Sequence, residues 1–253
     1  MNIPDTLTEL LAGADHVAVL TGAGVSAESG VPTFREAQRG LWARYDPEQL
    51  ATPEAFLGNP ELVWEWYAWR RRIVSTVEPN PAHYALAEMA EQVPRFTLIT
   101  QNVDGLHQRA GSEGVLELHG NIMRTKCFDC DQTAIKVKEN VGTTEQTPLL
   151  CNYCGGMLRP DVVWFGESLP ADAINRAYDA ARSCDLFFSI GTSTLVYPAA
   201  SLPAQAMSQG IPTVEINPHS TPLTSSVAYA LNGPAGELLP QLLKSTWPDQ
   251  GLD

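Results

Sequence analysis

Four cysteines in two pairs, Cys127-x-x-Cys130 and Cys151-x-x-Cys154, constrain this chain more than any other feature. Each pair offers two thiols from one turn, and two such turns separated by residues 131–150 have the spacing at which four thiolates surround one tetrahedral zinc ion. Two disulfides or a redox dithiol are the alternatives that the spacing leaves open. Four sulfur ligands leave no open coordination position. The expected ion therefore fixes structure and contributes folding free energy, whereas a catalytic zinc keeps a place for water. Cys184 stands apart, in Ser183-Cys184-Asp185-Leu186, and reads as a small core residue near a strand start.

The rest of the chain alternates short apolar runs with helical patterns, the signature of a mostly parallel sheet covered by helices. Strands are expected over residues 17–20, 96–99, 186–190 and 213–216, and helices over 82–91, 171–182 and 199–209. The expected fold is α/β, a doubly wound parallel sheet with a smaller zinc-binding domain built from two insertions. A tryptophan-rich helical stretch at about 53–77 and the cysteine stretch at about 122–159 interrupt the pattern. The division that follows assigns residues 1–36, 81–121 and 160–253 to the large domain and 37–80 and 122–159 to the small one. Ragged ends are expected in the first few residues and over 247–253.

Charge and hydropathy exclude some partners. The 29 acidic and 16 basic residues leave a formal charge of -13, which argues against binding a phosphate backbone, so no nucleic-acid partner is expected. No apolar run reaches the length of a membrane span, and Met1-Asn2-Ile3-Pro4-Asp5 lacks the charged and apolar regions of a signal peptide. A reducing cytoplasm is the expected location, with no membrane partner.

Three strand ends carry the polar groups. The strand 17–20 runs into Thr21-Gly22-Ala23-Gly24, where a glycine turn lets the backbone approach a pyrophosphate. Ala27 stands where a dinucleotide fingerprint places its third glycine, so a plain strand-to-helix turn fits this stretch as well. The strand 96–99 ends in Thr100-Gln101-Asn102-Val103-Asp104-Gly105-Leu106-His107, and the strand 186–190 ends in Gly191-Thr192-Ser193. Asn217 follows the fourth strand. Amides and hydroxyls beyond the carboxyl ends of parallel strands suit ribose hydroxyls, because they donate and accept without a fixed charge.

Taken in order, Gly22-Ala23-Gly24-Val25-Ser26 through Pro32-Thr33-Phe34-Arg35, the Thr100–His107 run, Leu118-His119-Gly120, the four cysteines, Gly191-Thr192-Ser193 and Glu215-Ile216-Asn217 resemble the sirtuins over nearly the whole chain. The resemblance implies an NAD-consuming protein lysine deacylase with a Rossmann-like large domain and one structural zinc. By that resemblance Gly22, Ala23, Gly24, Glu28, Thr33, Phe34 and Arg35 line the loop that closes on NAD. Gln101, Asn102 and Asp104 hold the nicotinamide ribose and carboxamide region, Asn102 acting with the catalytic set. Gly191, Thr192, Ser193 and Asn217 take the adenosine half, and Ala235 lies beside the adenine. His119 is the implied general base, and Cys127, Cys130, Cys151 and Cys154 are the zinc ligands.

Thr33, where many sirtuins have Asp, resembles the class III branch, which also carries a Tyr-x-x-Arg pair matched here by Tyr67-Ala68-Trp69-Arg70. Residues three apart on a helix share a face, so the phenol and guanidinium reach one pocket together. A guanidinium fork binds a carboxylate bidentately, which implies recognition of succinyl- or malonyl-lysine, with acetyl-lysine also fitting. Ala37 leaves room for the longer acyl chain. Packing aromatics and a solvated basic face are the ordinary reading of the same helix. By resemblance, Val163, Trp164, Phe165, Gly166 and Glu167 add an extended acylated peptide as a strand, although Trp164 and Phe165 also read as core. An NAD-dependent ADP-ribosyltransferase and a non-enzymatic zinc-ribbon module are the competing functions.

Overall fold

The longest apolar runs of the chain become parallel strands. The structure, a computed structural model, describes residues 3–32, 50–134 and 149–248. Its strands are β1 (His16–Thr21), β2 (Arg95–Thr100), β3 (Leu116–Glu117), β4 (Gly120–Cys127), β5 (Leu158–Val162), β6 (Leu186–Ile190), β7 (Thr213–Asn217) and β8 (Tyr229–Asn232). Six of them form one parallel sheet in the order β3-β2-β1-β6-β7-β8. With the separate β4–β5 ribbon set aside, this is the strand order of the doubly wound dinucleotide-binding fold, whose ligands lie where the order reverses. Here the reversal falls between β1 and β6. Both strands are buried along their whole length, as a sheet covered on two faces requires.

The helices divide between the two faces. On one lie α1 (Asp5–Ala12) and the helices at Pro81–Gln92 and Ala235–Thr246, packing Leu7, Leu11, Leu86, Met89, Leu239 and Leu242 against Val17, Val19 and Phe188. The other face is covered by Ala177, Ala180 and Ala181 of the Ala171–Ser183 helix and by Leu202 and Ala206. The stretch expected as one helix over 199–209 is a 3-10 turn (Ala199–Ser201) followed by a helix (Leu202–Ser208). Cys184 is buried at the junction of helix and β6, as expected. Within the described residues neither expected ragged end is ragged. Ile3 is buried and Asp5–Ala12 is helical, while Trp247 packs against the first core.

A second core forms beside the large sheet. It gathers Leu50, Phe56, Val63, Trp66, Tyr67 and Val74 from the helical insertion, Ile122 from β4, and Val162 and Trp164 from β5 and the turn after it. A short helix, α2 (Ala23–Ala27), follows β1 and belongs to the first core; two short-range signals shape the helices of the second. Thr52 caps α3 (Pro53–Gly58) and Asn59 caps α4 (Pro60–Thr76), each with proline at the first turn. Long-range bonds then tie α4 to the ribbon: Trp64 Nε1 donates to the Leu158 carbonyl at 2.9 Å, and Arg71 Nε donates to that of Ile122 at 2.6 Å. The ribbon is antiparallel, with a register shift between Asn121 and Thr125.

Candidate active site

At the reversal point the glycines pack against backbone. The Gly22 N–H donates to the Ile190 carbonyl at 3.0 Å and the Gly24 N–H to that of Gly191 at 2.8 Å. A Cβ on Gly24 would stand 2.7 Å from the Gly191 oxygen, and one on Gly191 would stand 2.5 Å from the Val25 nitrogen. The sequence reading gave these glycines the task of admitting a pyrophosphate. Their observed constraint is the close approach of the β1 and β6 ends, and both N–H groups are engaged there. Ala23 is the exposed member of the trio and lines the neighbouring cavity.

That cavity, of about 320 Å3, is where the expected residues converge. Gln101, Asn102 and Asp104 reach it from the end of β2, His119 from the turn before β4, Tyr67 and Arg70 from α4, and Val163 to Glu167 from the turn after β5. Asn102 is buried, its Nδ2 donating to the Gly22 carbonyl and to Ser26 Oγ, each at 3.0 Å. Gln101 Nε2 donates to Thr192 Oγ1 at 3.0 Å, and Asn217 Nδ2 donates to the Thr192 carbonyl at 2.9 Å. Thr192 therefore joins three strand ends and is itself buried, while Ser193 beside it is exposed.

His119 is half-buried, and its Nδ1 lies 2.9 Å from the Gln101 carbonyl oxygen. A carbonyl only accepts, so Nδ1 carries the proton and Nε2 keeps its lone pair. Burial holds the pKa below the ordinary histidine value, with the Gln101 hydrogen bond opposing it, so the imidazole is neutral near pH 7. Asp104 is buried and accepts the Leu106 N–H at 2.9 Å; burial raises its pKa, with that bond and the Arg70 charge opposing.

Tyr67 and Arg70 share a face of α4, as their spacing requires. Tyr67 is fully buried and accepts a 2.8 Å hydrogen bond from Trp164 Nε1, and burial raises its phenol pKa. The Arg70 guanidinium carbon lies 5.0 Å from the Trp66 ring centroid and 5.8 Å from that of Tyr67. The bland reading of Arg71 as part of a solvated basic face is corrected by its bonds to β4.

Several expected residues stand elsewhere or serve differently. Thr33, Phe34, Arg35 and Ala37 lie outside the described residues. The Glu28 carboxylate accepts from the Gly236 N–H at 3.1 and 3.2 Å, at the start of the Ala235–Thr246 helix, whose N-terminal partial charge favours an anion. Ala235 is only 4% exposed and its methyl lies in the first core, which leaves its backbone for any ligand. Trp164 and Glu167 turn inward: the Glu167 carboxylate grips Arg159 and accepts the Trp164 N–H at 2.7 Å. The N–H of Val163 donates to the His119 carbonyl and that of Phe165 to the Ala51 carbonyl, both at 2.9 Å, and Phe165 is 45% exposed.

Other lining residues had no role assigned from the sequence. Ser26, Val31 and Pro32 lay within the quoted stretch that runs through Pro32-Thr33-Phe34-Arg35, while the exposed pair Val196 and Tyr197 gave no signal, because apolar side chains read as core until a loop is seen to expose them. The Thr21–Thr100–His107 set beneath the cavity was likewise missed. Thr21 Oγ1 stands 2.9 Å from both Thr100 Oγ1 and His107 Nε2.

The cysteines form their own cluster, and among the described residues none of them lines the cavity. All four Sγ atoms lie within 4.8 Å of one another, with Cys127–Cys154 at 3.4 Å and Cys130–Cys151 at 3.7 Å. Sulfurs about 2.3 Å from a tetrahedral zinc stand about 3.8 Å apart, so the set fits one zinc ion. Backbone N–H groups of Asp129, Tyr153 and Gly156 each point at a sulfur from 3.4 Å, as thiolate ligands require of the shell around them.

Comparison with known proteins gives a consistent result. The family described as Sir2 family matches residues 22–198. An NAD-dependent protein deacylase of Aquifex aeolicus is 53% identical over 209 residues, 83% of this chain and 86% of the relative. NAD-dependent protein deacylase 1 of Pseudomonas aeruginosa is 49% identical over 247 residues, 96% of this chain and 98% of the relative. The crystal structure of a Sir2 homolog–NAD complex superposes with a TM-score of 0.90 at 45% identity, covering 97% of this chain and 94% of that one.

Proposed function

The chain belongs to the Sir2 family, and from that membership we propose that it is an NAD-dependent protein lysine deacylase acting on succinyl-, malonyl- and acetyl-lysine side chains of protein substrates. NAD, when bound, supplies an electrophilic ribose carbon, with nicotinamide and O-acyl-ADP-ribose as the products. The crevice at the strand-order reversal suits such a dinucleotide, since Asn102, Gln101 and Ser26 gather neutral donors and acceptors there. In this reading Gly22, Ala23, Gly24, Gly191, Thr192, Ser193 and Asn217 form the cofactor crevice, with Gln101, Asn102 and Asp104 at its nicotinamide end.

One observation carries the reading furthest. The Gln101 carbonyl fixes the His119 tautomer, so the accepting nitrogen Nε2 belongs to a neutral imidazole on the same cavity as Tyr67 and Arg70. A neutral imidazole takes the proton that a ribose hydroxyl must lose before its oxygen attacks the acyl carbon. Arg70 meets the distal carboxylate of the acyl group and Tyr67 donates its phenol proton to it. The peptide backbone is received along Val163, Phe165 and Gly166 by the backbone groups other than the Val163 and Phe165 N–H, which are bonded within the chain.

One zinc on the four cysteines holds the end of β4, whose first residue follows His119, and the two-domain division given above belongs to the same proposal. Among the described residues no helix is long and apolar enough to cross a membrane, and a thiolate-bound zinc suits a reducing cytoplasm. The test is mass spectrometry of the protein with NAD and matched acetyl- and succinyl-lysine peptides. O-acyl-ADP-ribose with a higher kcat/KM on the succinyl peptide is the expected result. ADP-ribose attached to protein would favour a transferase, and no NAD-dependent product would overturn the assignment.

A further inference from the structure

Trp164 belongs to the peptide-edge segment yet turns its side chain away from that edge. It is 2% exposed, and the Arg159 guanidinium carbon lies 3.3 Å from its ring centroid. Phe56 closes another side, with ring centroids 5.3 Å apart. Arg159 is fixed in turn: its side chain is 3% exposed, both terminal nitrogens bind the Glu167 carboxylate, and Nη2 also donates to the Val162 carbonyl at 2.7 Å. The same carboxylate accepts the Trp164 backbone N–H. The indole is thus clamped from its face, its edge and its backbone, with Nε1 2.8 Å from the Tyr67 hydroxyl.

The direction of that bond follows from the groups. An indole N–H only donates, so the phenol oxygen accepts and retains its own proton to give away. A carboxylate only accepts, and a phenol constrained to donate is matched to it, whereas the methyl end of an acetyl group gains nothing from such a donor. We infer that Trp164, seated on the Arg159–Glu167 pair, is a positioning residue that sets the direction of the Tyr67 hydroxyl and thereby selects acyl groups ending in a carboxylate. The inference rests on the acidic-acyl reading above and gives it a supporting layer. Without the indole donor the phenol rotates between donating and accepting arrangements, and the ordering it brought to the pocket must come from the ligand.

The test measures kcat and KM on matched succinyl- and acetyl-lysine peptides for the wild type, Trp164→Phe, Tyr67→Phe and the double variant, with zinc content and thermal midpoint as controls for folding. Trp164→Phe should lower the succinyl-to-acetyl ratio of kcat/KM about tenfold, mainly by raising KM for the succinyl peptide. It should lower that ratio no further in the Tyr67→Phe background, because both substitutions remove one bond. A packing defect alone would depress both peptides together. An unchanged ratio, with the wild type still favouring the succinyl peptide and Tyr67→Phe reducing that preference, would overturn the inference and leave the acidic-acyl reading standing. A wild type without acidic preference would overturn both. If Trp164→Phe does not fold, the Trp164 indole proton resonance decides: it should move upfield in Tyr67→Phe, and an unmoved resonance would overturn the inference.

Discussion

Two polar layers lie at the carboxyl ends of β1 and β2, one open and one sealed, and both contain neutral imidazoles. In the open layer His119 gives its Nδ1 proton to the Gln101 carbonyl and lines the cavity. In the sealed layer His107 places Nε2 on Thr21, and its ring stands 4.8 Å from that of His83. His83 Nδ1 accepts the Asn80 N–H and completes the capping box of the Pro81–Gln92 helix, α5. Histidine type and charge state are thus the same in both layers. The backbone holds Nδ1 in His119 and in His83 alike; what separates the proposed base from the structural histidine is that His119 donates there and keeps an accepting Nε2 on the cavity, whereas His83 accepts there and buries its Nε2.

Removing the metal should give the largest effect and should separate the layers. Structural zinc contributes about 10 kcal/mol or more to the folding of a thiolate module. Chelation should therefore abolish activity and erase hydrogen-exchange protection in β4 and β5, while β1 and β6 stay protected. Equal loss of protection in both sheets would show one cooperative unit instead. Next, His119→Ala should reduce kcat/KM on the succinyl peptide by about 100- to 10,000-fold, with NAD binding by calorimetry changed little. Turnover near the wild-type value would move the base elsewhere and remove the distinction between the layers.

How far the layers were legible in the sequence differs with the range of the interactions. The zinc ligands were readable because Cys-x-x-Cys is a local pattern, whereas Tyr67 and Arg70 were singled out by resemblance, helical spacing alone saying only that i and i+3 share a face. The central strands were readable from their apolar runs, whereas β3 is two residues long and β8 is the short Tyr229–Asn232, too little for a pattern to register. Glu28, Trp164 and Glu167 were assigned to ligands, yet their partners are Gly236, Tyr67 and Arg159, the first two more than ninety positions away. A polar residue near a functional motif reads the same whether its partner is a ligand or a distant segment. His107, noted in a matching run without a role, was placed only by its contact with Thr21.

Arg70→Met should produce a smaller and more selective loss within the open layer. A charge-assisted hydrogen bond is worth about 1.5–3 kcal/mol, so kcat/KM on the succinyl peptide should fall about 10- to 100-fold. The acetyl peptide, which offers no carboxylate, should lose far less. Equal losses on both peptides would reduce Arg70 to a packing residue beside Trp66 and would take the acidic-acyl pocket with it.

The smallest effect belongs to the sealed layer and is read as stability. Burial lowers the His83 pKa to about 4 and the His107 pKa to about 3, with His83 adding to the second shift. The unfolded chain titrates near the ordinary value of about 6.5. As pH falls from 7 to 5.5 the unfolded state therefore binds protons that the native state refuses, and stability is lost on the acidic side, about 1 kcal/mol for each imidazole. Zinc release and the raised carboxyl of Asp104 also respond to acid, so the wild-type slope alone does not isolate the pair. A difference does. His107→Asn, compared with the wild type by urea unfolding at both pH values, should lose about 1 kcal/mol less over the same interval, because the variant retains every other titrating group. If the two proteins lose the same amount, His107 accepts its proton in the folded state, and the sealed layer is not sealed.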